Sequence, residues 1–166
     1  MHFSKYFYAT GLVFIFLLFF SCKKAETEPA PHENTLSAKV NGAMFSPVSI
    51  QVLYGGSSIA GTKQVNIYAK ASNGQQIILV MLEYNGFLKT FTQDPTNQSH
   101  TIGGFNVGGG LIYTSYAISG EIRLLSIDKN KYADVDVVNG TFQMETDASN
   151  GKFVITEGTF SVAVEK

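Results

Sequence analysis

From residue 35 onward, apolar and polar residues take turns. Leu36, Ala38 and Val40 are separated by Ser37 and Lys39; Val48, Ile50, Val52 and Tyr54 keep the same spacing after Pro47. Val65, Ile67 and Ala69 alternate with Asn66, Tyr68 and Lys70. Period two places one set of side chains on one face of a β-strand, and no window after residue 34 sustains the 3.6-residue period of a helix. Ile122-Arg123-Leu124-Leu125-Ser126-Ile127 reads as a further strand. So do Ala133, Val135 and Val137, and on that alternation Asp134 and Asp136 face solvent. Five Asn-Gly pairs punctuate the chain, beginning at Asn41, Asn73, Asn85, Asn139 and Asn150. Both residues tolerate positive φ, which two-residue hairpin turns require. The pattern predicts an all-β domain, an antiparallel β-sandwich or flattened β-barrel rich in hairpins. Sheet closure is a tertiary property that strand pattern does not decide.

Two stretches depart from simple alternation. Ile77 to Leu82 is apolar on both faces, which predicts a central strand whose second face is covered, with Thr92 to Gly110 as the expected cover and a partner protein as the alternative. Near the end of the chain, Asn139-Gly140-Thr141-Phe142 is echoed by Glu157-Gly158-Thr159-Phe160. The apolar phase changes from odd to even positions around each Gly. A one-residue slip turns every side chain to the other face, so a strand crossing these points needs a bulge, which Gly140 and Gly158 permit. A tight turn at Asn139-Gly140 is the alternative.

The start of the chain breaks the pattern altogether. Of 21 Phe and Tyr residues in 166, 8 lie within the first 20 positions. Lys5 and the amino terminus precede an uncharged stretch from Tyr6 to Ser21, shorter than the roughly 20 residues a spanning helix needs and of the size of a signal-peptide core. Phe19-Phe20-Ser21-Cys22 resembles the lipobox of bacterial lipoproteins. That resemblance implies diacylglyceryl transfer to the Cys22 sulfur, cleavage before Cys22 and acylation of the new amino terminus. Several acyl chains anchor where one does not. Lys23 to Asn34 is a charged, Pro-containing tether without periodicity, with a reach of at most about 40 Å. The acidic residues after the Cys-Lys pair resemble surface-export signals of Bacteroidetes-type lipoproteins.

The division is therefore 1–21 signal peptide, 22–34 lipidated Cys and flexible tether, and 35–166 β domain. The organisation resembles small Bacteroidetes-type secreted lipoproteins of unassigned function. These have a domain opening like Val40-Asn41-Gly42-Ala43-Met44-Phe45, a late strand like Gly120-Glu121-Ile122-Arg123-Leu124, and two Gly-Thr-Phe repeats. What it implies is a lipid-anchored location in the bacterial envelope, at the outer membrane. It brings no catalytic residue with it.

Composition narrows the chemistry without naming it. The formal net charge is −1, and there is one Cys. That excludes a basic nucleic-acid binder and a disulfide scaffold. Only His32 and His100 follow the leader, which leaves zinc little to hold, so no metal is expected. Asp128-Lys129-Asn130 begins like a calcium loop, but Ala133 stands where that loop needs Gly and Asn139 where it needs Glu. The G-x-S-x-G elbow is missing, and S-x-x-K occurs at Ser126/Lys129 and Ser149/Lys152 in predicted turns. Gly108-Gly109-Gly110 has no following Lys-Ser/Thr, which argues against phosphate binding. No catalytic residue and no cofactor are expected. Phe105, Tyr113 and Tyr116 flank the glycine-rich segment and are the candidate ligand-binding residues, offering ring faces to a sugar or peptide. The expectation is a membrane-anchored envelope lipoprotein with a non-catalytic binding or interaction module, its partner an envelope protein or a glycan. The alternatives are a barrel carrying a small apolar ligand and a glycan-active enzyme.

Overall fold

The computed structural model describes residues 32–57, 61–94, 96, 101–108, 113–132, 134–148 and 150–166. The leader, Cys22 and the tether up to residue 31 lie outside them, as does His100. The described chain is all-β, with no helix among these residues. Its strands are β1 (Thr35–Val40), β2 (Ala43–Phe45), β3 (Ser49–Gly56), β4 (Lys63–Lys70) and β5 (Gln76–Leu82). They are followed by β6 (Thr90–Thr92), β7 (Gly103–Asn106), β8 (Thr114–Tyr132), β9 (Val135–Thr146) and β10 (Val154–Glu165). One antiparallel sheet runs in the order β2-β1-β10-β9-β8-β7-β5-β4-β3, with β6 paired to β8 off this path.

The sheet curls on itself because β8 belongs to both halves. Its first residues pair with β7 (Gly104 with Tyr116), and from Ala117 onward it pairs with β9. The register slips between Ala117 and Ser119, next to Gly120 at φ 129. A Cβ on Gly120 would lie 2.2 Å from the Gln143 carbonyl oxygen, so the bend needs a residue without one. The curled halves face each other across a packed interior. Val65, Ile67 and Ala69 of β4 and Ile77, Leu79 and Met81 of β5 meet Leu36 and Ala38 of β1 and Phe160, Val162 and Val164 of β10. The predicted alternations of β1 and β4 are among these residues, while β5, expected to be apolar on both faces, turns Ile77, Leu79 and Met81 into the core. The result is a flattened, open half-barrel.

The Asn-Gly pairs divide by context. Asn41 and Gly42 both have positive φ (49° and 81°) and turn β1 into β2, as a two-residue hairpin demands. The pairs at Asn73, Asn85 and Asn150 lie between strands. Asn139-Gly140 instead runs straight through β9, paired residue for residue with Ser161 and Phe160 of β10. The Asn139 amide donates to Ser126 Oγ at 2.8 Å, so its side chain serves the sheet rather than a turn. The expected register slip before Gly158 exists on β10, whereas the one expected at Gly140 lies on the neighbouring strand β8. One falls between Leu124 and Ser126 on β8, leaving Leu125 exposed, and the other between Ile155 and Gly158 on β10, where Glu157 has φ 52°.

The repeated Gly-Thr-Phe is a reciprocal packing device. Gly140 pairs with Phe160 and Gly158 with Phe142, so each glycine lies under the ring of the other repeat. The two rings sit 6.3 Å apart, and both phenylalanines are core residues. Aromatic rings laid over cross-strand glycines recover contact area that a glycine pair would forfeit.

Several expectations are corrected here. Of the expected cover from Thr92 to Gly110, residues 95, 97–100, 109 and 110 lie outside the described residues, and the part from Gly103 to Asn106 does not lie over the second face of β5. Instead Gly103 to Asn106 forms β7, which hydrogen-bonds along the β5 edge, with Val80 N–H donating to the Ile102 carbonyl at 2.7 Å. Ser126 and Lys129 stand in β8, not in a turn. Residues 32–34 are not tether: the Asn34 carboxamide oxygen accepts from Ala163 N–H at 2.8 Å, and His32 Nε2 lies 3.0 Å from Ser161 Oγ. Asp136 does not face solvent. β9 begins after a tight hairpin in which Tyr132 pairs with Val135 and Asp134 takes φ 58°. Its even positions from Asp136 and Val138 to Phe142 and Met144 are buried, and at its start the odd Val137 is buried as well.

Candidate functional site

The hydrogen-bonded sheet has two ends, and they are built differently. β2 is three residues long, too short to template another strand. β3 is eight residues long, lies at the other end and, among the described residues, pairs only with β4. Its register with β4 is unbroken from Ser49 opposite Lys70 to Gly56 opposite Lys63. Just beyond, Ser57 N–H donates to the Thr62 carbonyl, which fixes the phase of the ladder. In an antiparallel pair, alternate residues exchange both backbone bonds with the partner. Gln51, Leu53 and Gly55 therefore direct their N–H and C=O groups at β4. Those of Ile50, Val52 and Tyr54 point outward along the open edge.

A groove of about 420 Å³ runs beside that edge. Val52, Leu53 and Tyr54 form one wall; Ala163 and Glu165 of β10, with His32 and Asn34 bonded to that strand, form the other. Val52 and Tyr54 pack their side chains against the core, whereas Leu53 is 46% exposed. The seam is where a closed barrel would have another strand.

One end of the seam is held by a buried charge. Val135 and Glu165 line the groove, and their chain neighbours Asp136 and Lys166 form an ion pair at 2.8 Å. Asp136 is 0% exposed, whereas the Lys166 side chain reaches solvent. A carboxylate so placed requires a cation or donors. Lys166 N–H also donates to the Asp134 carbonyl at 3.2 Å, closing the end of β10 onto the β8–β9 hairpin. The buried Tyr84 hydroxyl faces Asp136 without full hydrogen-bond geometry, and its ring meets Tyr54 edge to face at 6.0 Å. Burial first, then the Asp136 carboxylate and Tyr54, hold the Tyr84 phenol well above its usual value of 10.0.

That shift has a sign that stability measurements can read. The folded state keeps the Tyr84 proton after the unfolded chain has lost it, so the stabilisation is complete below pH 10 and falls as pH rises beyond it. The expected slope above pH 10 is about 1.4 kcal/mol per pH unit. Tyr84→Phe should remove that slope in urea unfolding curves between about pH 9 and pH 11.5.

The candidate aromatic residues do not form one platform. Phe105 is 0% exposed and sits in the core, 4.6 Å from the Phe153 ring and 6.4 Å from Phe45, so the expectation that it offers a face to a ligand is corrected. Tyr113 and Tyr116 are exposed, at 52% and 55%. Tyr116 lies on the outward face of β8 with Ile118, while Tyr113 precedes the strand. Cys22 lies outside the described residues. No group of three or more His, Cys, Asp or Glu among the described residues is arranged to hold a metal ion.

No protein family, curated protein or solved structure gives a significant match. Sequence alternation identified β3 as a strand but gave no sign that it is an edge. The signal available was weak: Ser49 to Gly56 follows Pro47, ends in Gly-Gly and carries no charge.

Proposed function

We propose that the chain is a lipid-anchored protein of the bacterial envelope, held at the outer membrane through Cys22, whose β domain is a non-catalytic binding module. The leader and its lipobox-like end support the anchor. The observation that carries the module is the open edge of β3 beside its groove, on a domain whose described residues include fully buried side chains such as Phe105, Ile67 and Leu79. The packing of these described residues favours a surface site over an enclosed pocket for a small apolar ligand. The buried Asp136, paired with the partly exposed Lys166, is engaged in closing the fold, which favours binding over catalysis.

The anchor and the module are tested separately. Cys22→Ser is expected to abolish incorporation of labelled palmitate and release the domain from the membrane fraction; continued labelling would refute the anchor. In intact envelopes, cross-linking of the lipidated protein should yield a discrete adduct. A protein that remains uncross-linked under conditions that trap known envelope complexes would refute the module.

A further inference from the structure

We propose that the β3 edge docks an extended peptide strand from a partner protein, one that carries a Lys or Arg beside Glu165. This rests on the binding-module reading and names the kind of partner it takes.

Three observations meet at the edge. First, the backbone groups of Ile50, Val52 and Tyr54 point away from β4, offering a ladder of donors and acceptors at the spacing an added strand uses. Second, Ser49-Ile50-Gln51-Val52-Leu53-Tyr54-Gly55-Gly56 contains neither proline nor charge, and its register with β4 has no slip. Exposed edges of this length ordinarily carry a Lys, a Pro or a bulge that blocks pairing, or are kept very short, as β2 is. The absence of such blocks at β3 is what a strand-accepting edge requires. Third, the groove beside the edge gives the incoming strand a second wall and a charge. Glu165 lines it, and no ion pair among the described residues engages that carboxylate. Lys63 and Lys166 are already placed, one over the Tyr54 ring at 5.2 Å and the other against Asp136. A cation on the incoming strand therefore complements the groove, while an acid would meet Glu165.

The seam also argues for a single strand over a second copy of the domain. The opposite wall is β10 with Asn34 and His32 bonded to it, so the approach to Val52 is flanked by the protein's own chain. An extended peptide enters such a slot, whereas an edge that is one part of a folded sheet brings its neighbours with it.

The probe is a library of displayed linear peptides roughly ten residues long, enough to cover the edge at about 3.3 Å per residue. Panning against the lipid-free β domain is expected to enrich alternating β-branched or aromatic residues with a Lys or Arg at one fixed position. A synthetic peptide of that consensus should then lose at least about tenfold in affinity for Val52→Pro. The Val52 N–H faces the open edge, so proline there blocks the added strand without breaking the β4 ladder. Glu165→Lys, a surface change that leaves every strand intact, should weaken the same basic peptide about fivefold or more. No enrichment, or a peptide that binds wild type and both variants alike, would overturn the proposal. So would a dimer seen by light scattering and dissociated by Val52→Pro, because the occupant would then be a second copy. If the envelope adduct persists undiminished in Val52→Pro, the edge proposal fails while the binding module stands; if no adduct forms at all, the module itself fails.

Discussion

Gly140→Ala is expected to destabilise the domain by about 3 kcal/mol and lower its melting temperature by about 10 °C. A Cβ at position 140 would fall 2.4 Å from Phe160 Cζ and 2.7 Å from the Arg123 carbonyl oxygen. The ring cannot retreat freely, because it packs against Phe142 within the core. The carbonyl belongs to β8, whose pairing with β9 would have to open. Gly158→Ala should act alike, since its Cβ would meet the Phe142 carbonyl oxygen at 2.5 Å and the Phe142 ring at 2.7 Å. Gly55→Ala is the matched control, with nothing within 4 Å of the new Cβ, and should stay within about 0.5 kcal/mol of wild type. Thermal and urea unfolding of the three variants decide the matter. Equal stability of Gly140→Ala and Gly55→Ala would mean that the two Gly-Thr-Phe repeats do not interlock.

The second large effect belongs to the Asp136–Lys166 pair. Lys166→Ala leaves a fully buried carboxylate without its Lys166 partner and frees the end of β10, at an expected cost of about 3 kcal/mol at neutral pH. Lys166 is partly exposed, which places the cost at the lower end of the range for buried pairs. Asp136→Ala should cost a similar amount. The double variant should be less destabilised than the sum of the two, by about 1 to 2 kcal/mol, because the first change already removes the interaction. Strict additivity in urea unfolding would mean that the pair contributes nothing as a pair.

Strand identity was legible where one face alone is buried. β1 and β4 follow the alternation of Leu36-Ala38 and Val65-Ile67-Ala69 without error, because each contributes one side to a common core. β9 is legible only in part, for a physical reason. Of the apparent core face Val135 and Val137, Val137 is buried, but Asp136 and Val138 are buried too, since the β8–β9 hairpin turns at Asp134 without any Asn-Gly or Gly to announce it. A buried Asp balanced by Lys166, thirty positions later in the chain, leaves no local trace. The parity conflict around Gly140 and Gly158 did register in the sequence. Its resolution lies partly on a neighbouring strand, at Leu125, which no single-strand pattern reveals.

The site was less legible than the fold. Aromatic residues near glycines drew attention to Phe105, but Gly103 and Gly104 are there because a Cβ would strike the Ile78 carbonyl oxygen at 2.1 Å and the Ser115 carbonyl oxygen at 2.7 Å. Those glycines let β7 fit between β5 and β8 and so bury Phe105. Whether a strand is an edge depends on sheet order, and the order places β3 at one end because β7 and β4 occupy both sides of β5. Once the order is known, the absence of charge and proline in Ser49–Gly56 acquires its meaning.

Residue-resolved amide hydrogen exchange along β3 tests the open edge most directly. In the free domain, the amides of Gln51, Leu53 and Gly55 should be protected by the β4 ladder, while those of Ile50, Val52 and Tyr54 exchange at least about a hundredfold faster. Adding a consensus peptide should slow these last three and leave the others unchanged. Uniform protection of all six amides in the free domain would mean that the edge is already paired, and would contradict the account.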